Sequence, residues 1–386
     1  MNNRLGLIGC TLLLAMLPAC GGGGGGSSTA NNAGNSNGGN GSVSTPPPAS
    51  ASRFAYVAGT TGISAYSVNL DDGKLSEIAG SPFARDTRPF SIVVGPSDQF
   101  VYSATDTQSV HAYSIDRATG ALSEIVGSPS PAGNPGHGYL GALLMHPSGK
   151  FVYALDVDRG AWAFRVAASG ALVQVEGSPF GPGGYPRDIA IDPSGQYAFV
   201  PGFLNNRLYT LRIDTTSGAL TQIAETFAGD SPSGVAVDPS GKFAFVASGG
   251  GPSGENAGVW SFSIDPATGT LTQIGSVAAG AYPYRVTVHP TGKFAYVTNL
   301  MSNDISAFSI DAMGALTSIG APVTTAIYPR SVTVDSSGRF AYVTSYDSKT
   351  ISGYRIDANT GVLTEMDGSP LATTNSPLSM TITGML

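Results

Sequence analysis

From residue 53 onward the chain writes one unit seven times, and no other feature limits its fold so tightly. The unit's anchor is an aromatic residue, a small one, a second aromatic and usually Val, first met as Phe54-Ala55-Tyr56-Val57. It returns at Phe100, Phe151, Tyr197, Phe243, Phe294 and Phe340, at spacings of 46 or 51 residues. Three further segments accompany the anchor, exemplified by residues 305–311, 269–274 and 186–191. Each is short, alternating or β-rich, and bounded by Gly, Pro, Asp or Ser, which reads as a strand. Four strands in about 46 residues is the period of one blade of a β-propeller.

The spacing therefore predicts an all-β, seven-bladed β-propeller with four antiparallel strands per blade. The Pro-x-x-Val-x-Val segment is the innermost strand, A; the aromatic anchor is B; the segments like 305–311 and 269–274 are C and D. The chain enters at a B strand and ends on a lone A strand, residues 377–383. The C-terminal inner strand must join the N-terminal strands in one blade, closing the ring and removing its open edges.

Composition agrees. Gly at 52 and Pro at 26 supply the turns, and 41% hydrophobic against 12% charged residues excludes a disordered chain. A net charge of −7 argues against nucleic acid as a partner and against electrostatic docking on anionic lipid. The two cysteines are Cys10 and Cys20, so residues 53–386 can form no disulfide or cysteine-metal site. No metal site or cofactor is expected. No P-loop, His-Glu-x-x-His or EF-hand spacing occurs in the propeller.

The first 52 residues read differently. Arg4 and an apolar stretch over residues 5–17 form a secretory leader, too short to span a bilayer. It ends Leu17-Pro18-Ala19-Cys20, which resembles the lipobox of bacterial lipoproteins, with Cys20 as the acylated residue. Residues 1–19 are thus expected to be a lipoprotein signal peptide. Residues 20–52, rich in Gly, Ser, Asn and Pro, are expected to be a flexible tether spanning roughly 30 Å. The expected location is exported and lipid-anchored, at an outer membrane, facing the periplasm or the cell surface. The partner there is the membrane, through the anchor at Cys20.

The anchors at residues 292–299 and 338–345 resemble the YVTN-type propeller repeat. With the Asp-Pro-Ser-Gly turns and Asp-x-x-Thr-Gly-x-Leu hairpins, residues 53–386 resemble the seven-bladed lactonase superfamily. That group includes propeller-type 6-phosphogluconolactonases and carboxymuconate-cyclising enzymes. The resemblance implies a lactonase, a carboxylic ester hydrolase, with a His on one inner strand, Pro-Arg-His on the next, and Asn-Glu-Leu after the following anchor. Here those positions hold Gly141, Pro186-Arg187-Asp188 and Gly202-Phe203-Leu204. Arginine is kept, and Arg285 or Arg330 can stand for a further one. The proton-moving set is depleted, leaving Arg187, Asp188 and the loop residue His137 as catalytic candidates.

Much of what repeats is structural. Asp192-Pro193-Ser194-Gly195 is a type I turn, and His146-Pro147 and His289-Pro290 fill the same slot. Tyrosines recurring at one strand position, such as Tyr56 and Tyr342, are blade packing. Variation collects instead in the B–C and D–A loops, which share one face. Counting along the inner strands places Arg187, Arg285 and Arg330 at one mouth of the central channel, with Asp188, Tyr185, Tyr284 and Tyr328. Guanidinium groups suit carboxylate or phosphate, and tyrosines suit sugar rings. The leading reading is a lipid-anchored propeller binding a small anionic or sugar-like ligand, a sugar lactone among them, or a protein partner there. The alternatives are a lactone hydrolase with a degenerate active site and a purely structural display module. Replacing Cys20 by Ser is expected to release the protein from membranes washed with carbonate; retention would refute the lipid anchor.

Overall fold

The computed structural model describes residues 53–85, 87–133 and 139–384. The leader, the tether, Cys20 and His137 lie outside the described residues. Within them the chain forms seven antiparallel sheets, each a path of four strands. Three blades carry in addition a two-residue strand on the outer side of the C strand, as at Val323–Thr324.

Blade 1 combines Arg53–Gly59, Gly62–Val68 and Leu75–Glu77 with the C-terminal inner strand Pro377–Ile382. Blades 2 to 7 have inner strands Pro89–Val94, Leu140–Met145, Ala190–Ile191, Pro232–Val237, Pro283–Val288 and Pro329–Val334. Successive inner strands pack side by side, and Pro377–Ile382 lies between those of blades 7 and 2. The expected ring and its closure by the last strand are what the chain adopts.

The B strands form the core because their side chains alternate between two blade interfaces. Tyr56, Tyr102, Tyr153, Tyr296 and Tyr342 are fully buried. Each hydroxyl donates to the carbonyl of the C–D hairpin glycine in the next blade, for example Tyr153 to Gly218 at 3.1 Å and Tyr342 to Gly73 at 2.6 Å. The histidines of the A–B turns bridge in the same direction. His146 accepts the Ser148 N–H at Nδ1 (3.1 Å), so Nε2 carries the proton it donates to Gly195 O (2.9 Å). His289 repeats this with Gly338 at 2.8 Å.

Blade 4 departs from the expected pattern. Its inner ladder is reduced to Ala190–Ile191, with an isolated bridge at Pro186 and Gly202. The cause lies in the B strand. Tyr197 turns both its N–H and its carbonyl toward the inner side, to Asp192 Oδ1 (2.7 Å) and the Asp192 N–H (3.0 Å). By the two-residue period Pro201 faces the same way, and proline has no N–H to give. The ladder opens at residues 187–189, which are the ones the channel mouth uses.

Deleting residues 376–386 removes an inner strand that buries Leu378, Met380 and Ile382. Loss of cooperative unfolding, or aggregation along the opened edge, is expected in calorimetry and light scattering. A truncated protein that remains monomeric with unchanged melting would contradict closure through this strand.

Candidate functional site

A β-bulge at the start of the inner strands builds the site. In six blades the residue after the Pro slot is skipped by the ladder: Phe90, Gly141, Ser233, Tyr284, Arg330 and Leu378. A bulged residue is re-aimed out of the pleat. In blade 4 the equivalent residue, Arg187, sits in the open stretch of ladder. All of these but the buried Ser233 line one cavity of about 420 Å³ along the channel, together with Asp188 and Arg285.

A second repeated contact fixes the rim. The residue following each B strand donates its N–H to the carbonyl of the residue before the Pro slot. Examples are Leu300 to Tyr282 (3.0 Å) and Tyr346 to Tyr328 (3.0 Å). In blades 4 to 7 that accepting residue has positive φ: Tyr185 at 62°, Ser231 at 53°, Tyr282 at 60° and Tyr328 at 64°. Left-handed backbone costs a side-chain-bearing residue roughly 1–2 kcal/mol, and such strain gathers at ligand sites. Tyr185 and Tyr328, which lie against the rim arginines, are thus held in a conformation their own backbone disfavours.

The three arginines do different work. Arg285 is engaged: Nη1 lies 2.5 Å from Asp188 Oδ2, and Nη2 donates to the Arg187 carbonyl at 2.9 Å. Asp188 also accepts the Val235 N–H at 3.0 Å. The ion pair joins blade 6 to blade 4 across blade 5, where the corresponding residues are Ser233 and Gly234. A Cβ at Gly234 would lie 2.5 Å from the Tyr284 carbonyl oxygen, so only glycine lets the strands approach. Both charges are about a fifth exposed, at 19% and 18%. Burial pulls the Arg285 guanidinium down, but Asp188 together with the Tyr284 and Tyr139 phenols outweighs it and holds the group charged.

Arg187 and Arg330 have no carboxylate partner among the described residues. Aromatic faces hold them instead. The Arg187 guanidinium stacks 3.6 Å from the Phe203 ring centre and 5.3 Å from that of Tyr185. Arg330 sits among Tyr284, Tyr328 and Tyr346 at 5.3, 5.7 and 5.8 Å. Cation–π contact fixes the plane of a guanidinium and leaves its N–H edge free to donate. Arg187 Nε is shut from water without a hydrogen-bond partner among the described residues. The mouth is therefore cationic in a chain of net charge −7.

The structure brings Arg187, Asp188, Arg285, Arg330, Tyr185, Tyr284 and Tyr328 to this one rim. Of the three arginines it is Arg285 of blade 6, not the chain neighbour Arg187, that pairs with Asp188. Counting along inner strands leaves out Phe203 and Tyr346, which close the two arginine cages; the same count does reach Tyr139, in the slot of Tyr185, whose hydroxyl it meets at 3.4 Å. Phe203 and Tyr346 share the slot after the B strand, so a second count along that register finds them. Among the described residues no three His, Cys, Asp or Glu side chains gather closely enough to hold a metal ion.

The family profile described as Lactonase, 7-bladed beta-propeller matches residues 58–203, 204–294 and 283–378. The chain belongs to this lactonase family. No curated protein sequence matches it. Among solved structures it is similar to a putative 6-phosphogluconolactonase from Bacteroides fragilis, at 21% identity and a TM-score of 0.72, covering 88% of this chain and 99% of that one. A putative 6-phosphogluconolactonase from Bacteroides uniformis gives 20% and 0.73, over 86% and 100%. The periplasmic gluconolactonase of Pseudomonas aeruginosa gives 18% and 0.70, over 86% and 99%. At these identities the likeness is one of fold. Within this lactonase-family propeller the chemistry must be read from its own mouth.

Arg285→Met leaves Asp188 half-buried without its cation. A loss of about 2 kcal/mol is expected in thermal or urea unfolding, and adding Asp188→Asn should recover part of it. A double-mutant cycle showing no coupling between the two positions would remove the inter-blade role of this pair.

Proposed function

We propose that this lactonase-family propeller binds a small carboxylate- or phosphate-bearing sugar derivative at the rim formed by the B–C and D–A loops. One observation carries the reading: Arg187 and Arg330 are held by aromatic faces with their donor edges free and no carboxylate neutralising them among the described residues. Buried or half-buried cations in that condition call for an anion. Charge-assisted hydrogen bonds of about 1.5–3 kcal/mol each would supply the affinity. The tyrosines offer ring faces and hydroxyl groups to a sugar-like body.

A second reading, hydrolysis of a lactone of the same class, is supported by family membership and by the cavity's mixed lining. The ring-opened product of a lactone is a hydroxy acid, so one site serves both readings: the rim arginines grip the carboxylate of the product and the developing oxyanion of the reaction. The propeller's place is proposed to be outside the cytoplasm, held to a membrane through Cys20. A protein partner on the same rim is the alternative occupant.

The test compares the unaltered protein with Arg187→Gln/Arg330→Gln. Gluconate, phosphogluconate and citrate are each added during thermal unfolding. A ligand at a hundred times its Kd stabilises the native state by about 2.7 kcal/mol, a shift of several degrees. We expect such a shift in the unaltered protein and none in the variant, with both unfolding cooperatively. No shift with any of the three, together with a much less stable variant, would make the arginines inter-blade staples and defeat the reading.

A further inference from the structure

We propose that Tyr284 is the proton-transfer residue of this mouth, taking a proton from the water that attacks a lactone carbonyl and returning it to the departing ring oxygen. The proposal rests on the reading above, that the rim accepts a lactone or its hydroxy acid. Four observations lead to it.

The first is position. Seven residues occupy the slot after the inner-strand Pro position, and only Tyr284 among them carries a weak acid able to give and take a proton. Its bulge turns it into the cavity.

The second is its surroundings. The guanidinium carbons of Arg285 and Arg330 each lie 5.3 Å from its ring centre. Arg285 shares its strand, and Arg330 comes from blade 7. Arg187 and Asp188 face it from blade 4, and Tyr139 from blade 3. The inner strand of blade 5, Pro232–Val237, carries no charged or titratable side chain and lines the cavity with Val235, Ala236 and Val237. Three cations and one carboxylate already claimed by Arg285 surround one phenol.

The third is availability. Asp188, the rim's carboxylate, is tied to Arg285 and to the Val235 N–H. The Tyr284 hydroxyl has no hydrogen-bond partner among the described residues. A group that must give and take a proton needs an unclaimed oxygen within reach of the substrate.

The fourth supports the geometry. Burial alone would push the Tyr284 phenol up, but Arg330, Arg285 and Arg187 outweigh burial and Asp188 and bring it below its ordinary value. The tyrosines of the blade interfaces go the other way, as burial alone requires: those at Tyr56 and Tyr342 are pushed well above the usual range.

The step balances. The phenolate oxygen accepts a proton from water as the water oxygen bonds to the lactone carbonyl carbon. The resulting oxyanion is stabilised by the free edges of Arg187 and Arg330. The acyl carbon to ring-oxygen bond breaks, and the ring oxygen takes the proton from Tyr284, restoring the phenolate. The carboxylic acid formed loses its own proton to solvent. Lactone and water become a hydroxy carboxylate and a proton, with no oxidant or metal required.

The experiment measures hydrolysis of glucono-1,5-lactone by the full chain and by Tyr284→Phe, above the spontaneous rate, across pH. Gluconate binding is measured on both. We expect kcat/KM to fall by about 10²-fold or more in the variant. The limb of the pH profile that rises as the phenol ionises should vanish, and gluconate binding should weaken by about tenfold at most, the effect of one lost hydroxyl contact. A tyrosinate absorbance present in the unaltered protein below the usual tyrosine range should be missing from the variant. An unchanged rate and profile in Tyr284→Phe would overturn the inference and leave the binding reading standing. So would gluconate binding by the unaltered protein with no hydrolysis. Absence of any binding by the unaltered protein would defeat the reading beneath it. Should the variant lose gluconate binding, the tyrosinate titration of the unaltered protein decides: no phenol ionising below the ordinary range overturns the proposal.

Discussion

Everything in this ring depends on one contact made seven times, an aromatic ring of each blade laid against the C–D hairpin glycine of the next. Phe54 meets Gly120, Phe100 meets Gly170, Phe151 meets Gly218, and the series runs round to Phe340 on Gly73 of blade 1. Each of these glycines has positive φ, between 72° and 85°. The hairpin needs that conformation and the ring needs the missing Cβ, so one residue type satisfies both demands. Five tyrosine hydroxyls then tie the same glycine carbonyls, which keeps a polar group out of an otherwise dry interface. The contact fixes the angle between neighbouring blades. Repeated without change, it leaves no alternative to closure.

Because the packing code occupies the B strands and the C–D turns, the opposite face is free to vary. The inner-strand bulge supplies six equivalent slots, filled here by Phe, Gly, Ser, Tyr, Arg and Leu, and the open ladder of blade 4 supplies a seventh, filled by Arg187. Their sizes are coupled. Ser233 and Gly234 make blade 5 thin, and only for that reason does Arg285 reach across it to Asp188 and the Arg187 carbonyl. The missing N–H of Pro201 opens the blade 4 ladder, and Arg285 takes a carbonyl at that point. A defect in one blade and a long side chain two blades away form a single device. The strained tyrosines before the Pro slots belong to the same logic. Roughly 1–2 kcal/mol of backbone energy at each is tolerated because the rim clamp from the B–C loop leaves them no freedom to relax.

The number of blades, the order of strands and closure by the last strand were legible in the sequence because all of them are periodic. Period and phase survive without knowing a single contact. The arginines at the mouth were legible for the same reason, since register along an inner strand converts directly into height in the channel. What register does not carry is distance across the ring. The pairing of Asp188 with Arg285 spans 97 positions of chain, and it depends on the thinness of an intervening blade. The Pro201 interruption needs the direction in which Tyr197 points its backbone. Tyr284 looked like a ring for a sugar to rest on; its place among three guanidinium groups is a fact of three dimensions.

Phe203 shows why the chemistry of this mouth cannot be carried over from the family resemblance. The resemblance places a glutamate there, beside the arginine of Pro-Arg-His. A carboxylate at that distance would neutralise Arg187 and hold a proton for the reaction. An aromatic face at 3.6 Å positions the same guanidinium and neutralises nothing. The exchange leaves the rim short of one acid–base group and rich by one positive charge. Those two consequences meet at Tyr284. Extra positive charge favours the ionised form of whatever weak acid lies nearest, and the nearest with an unclaimed oxygen is that phenol. With Arg187 left unneutralised, its charge adds to those of Arg330 and Arg285 in holding that phenol below its ordinary value, and the proton-transfer role proposed for Tyr284 draws on that charge.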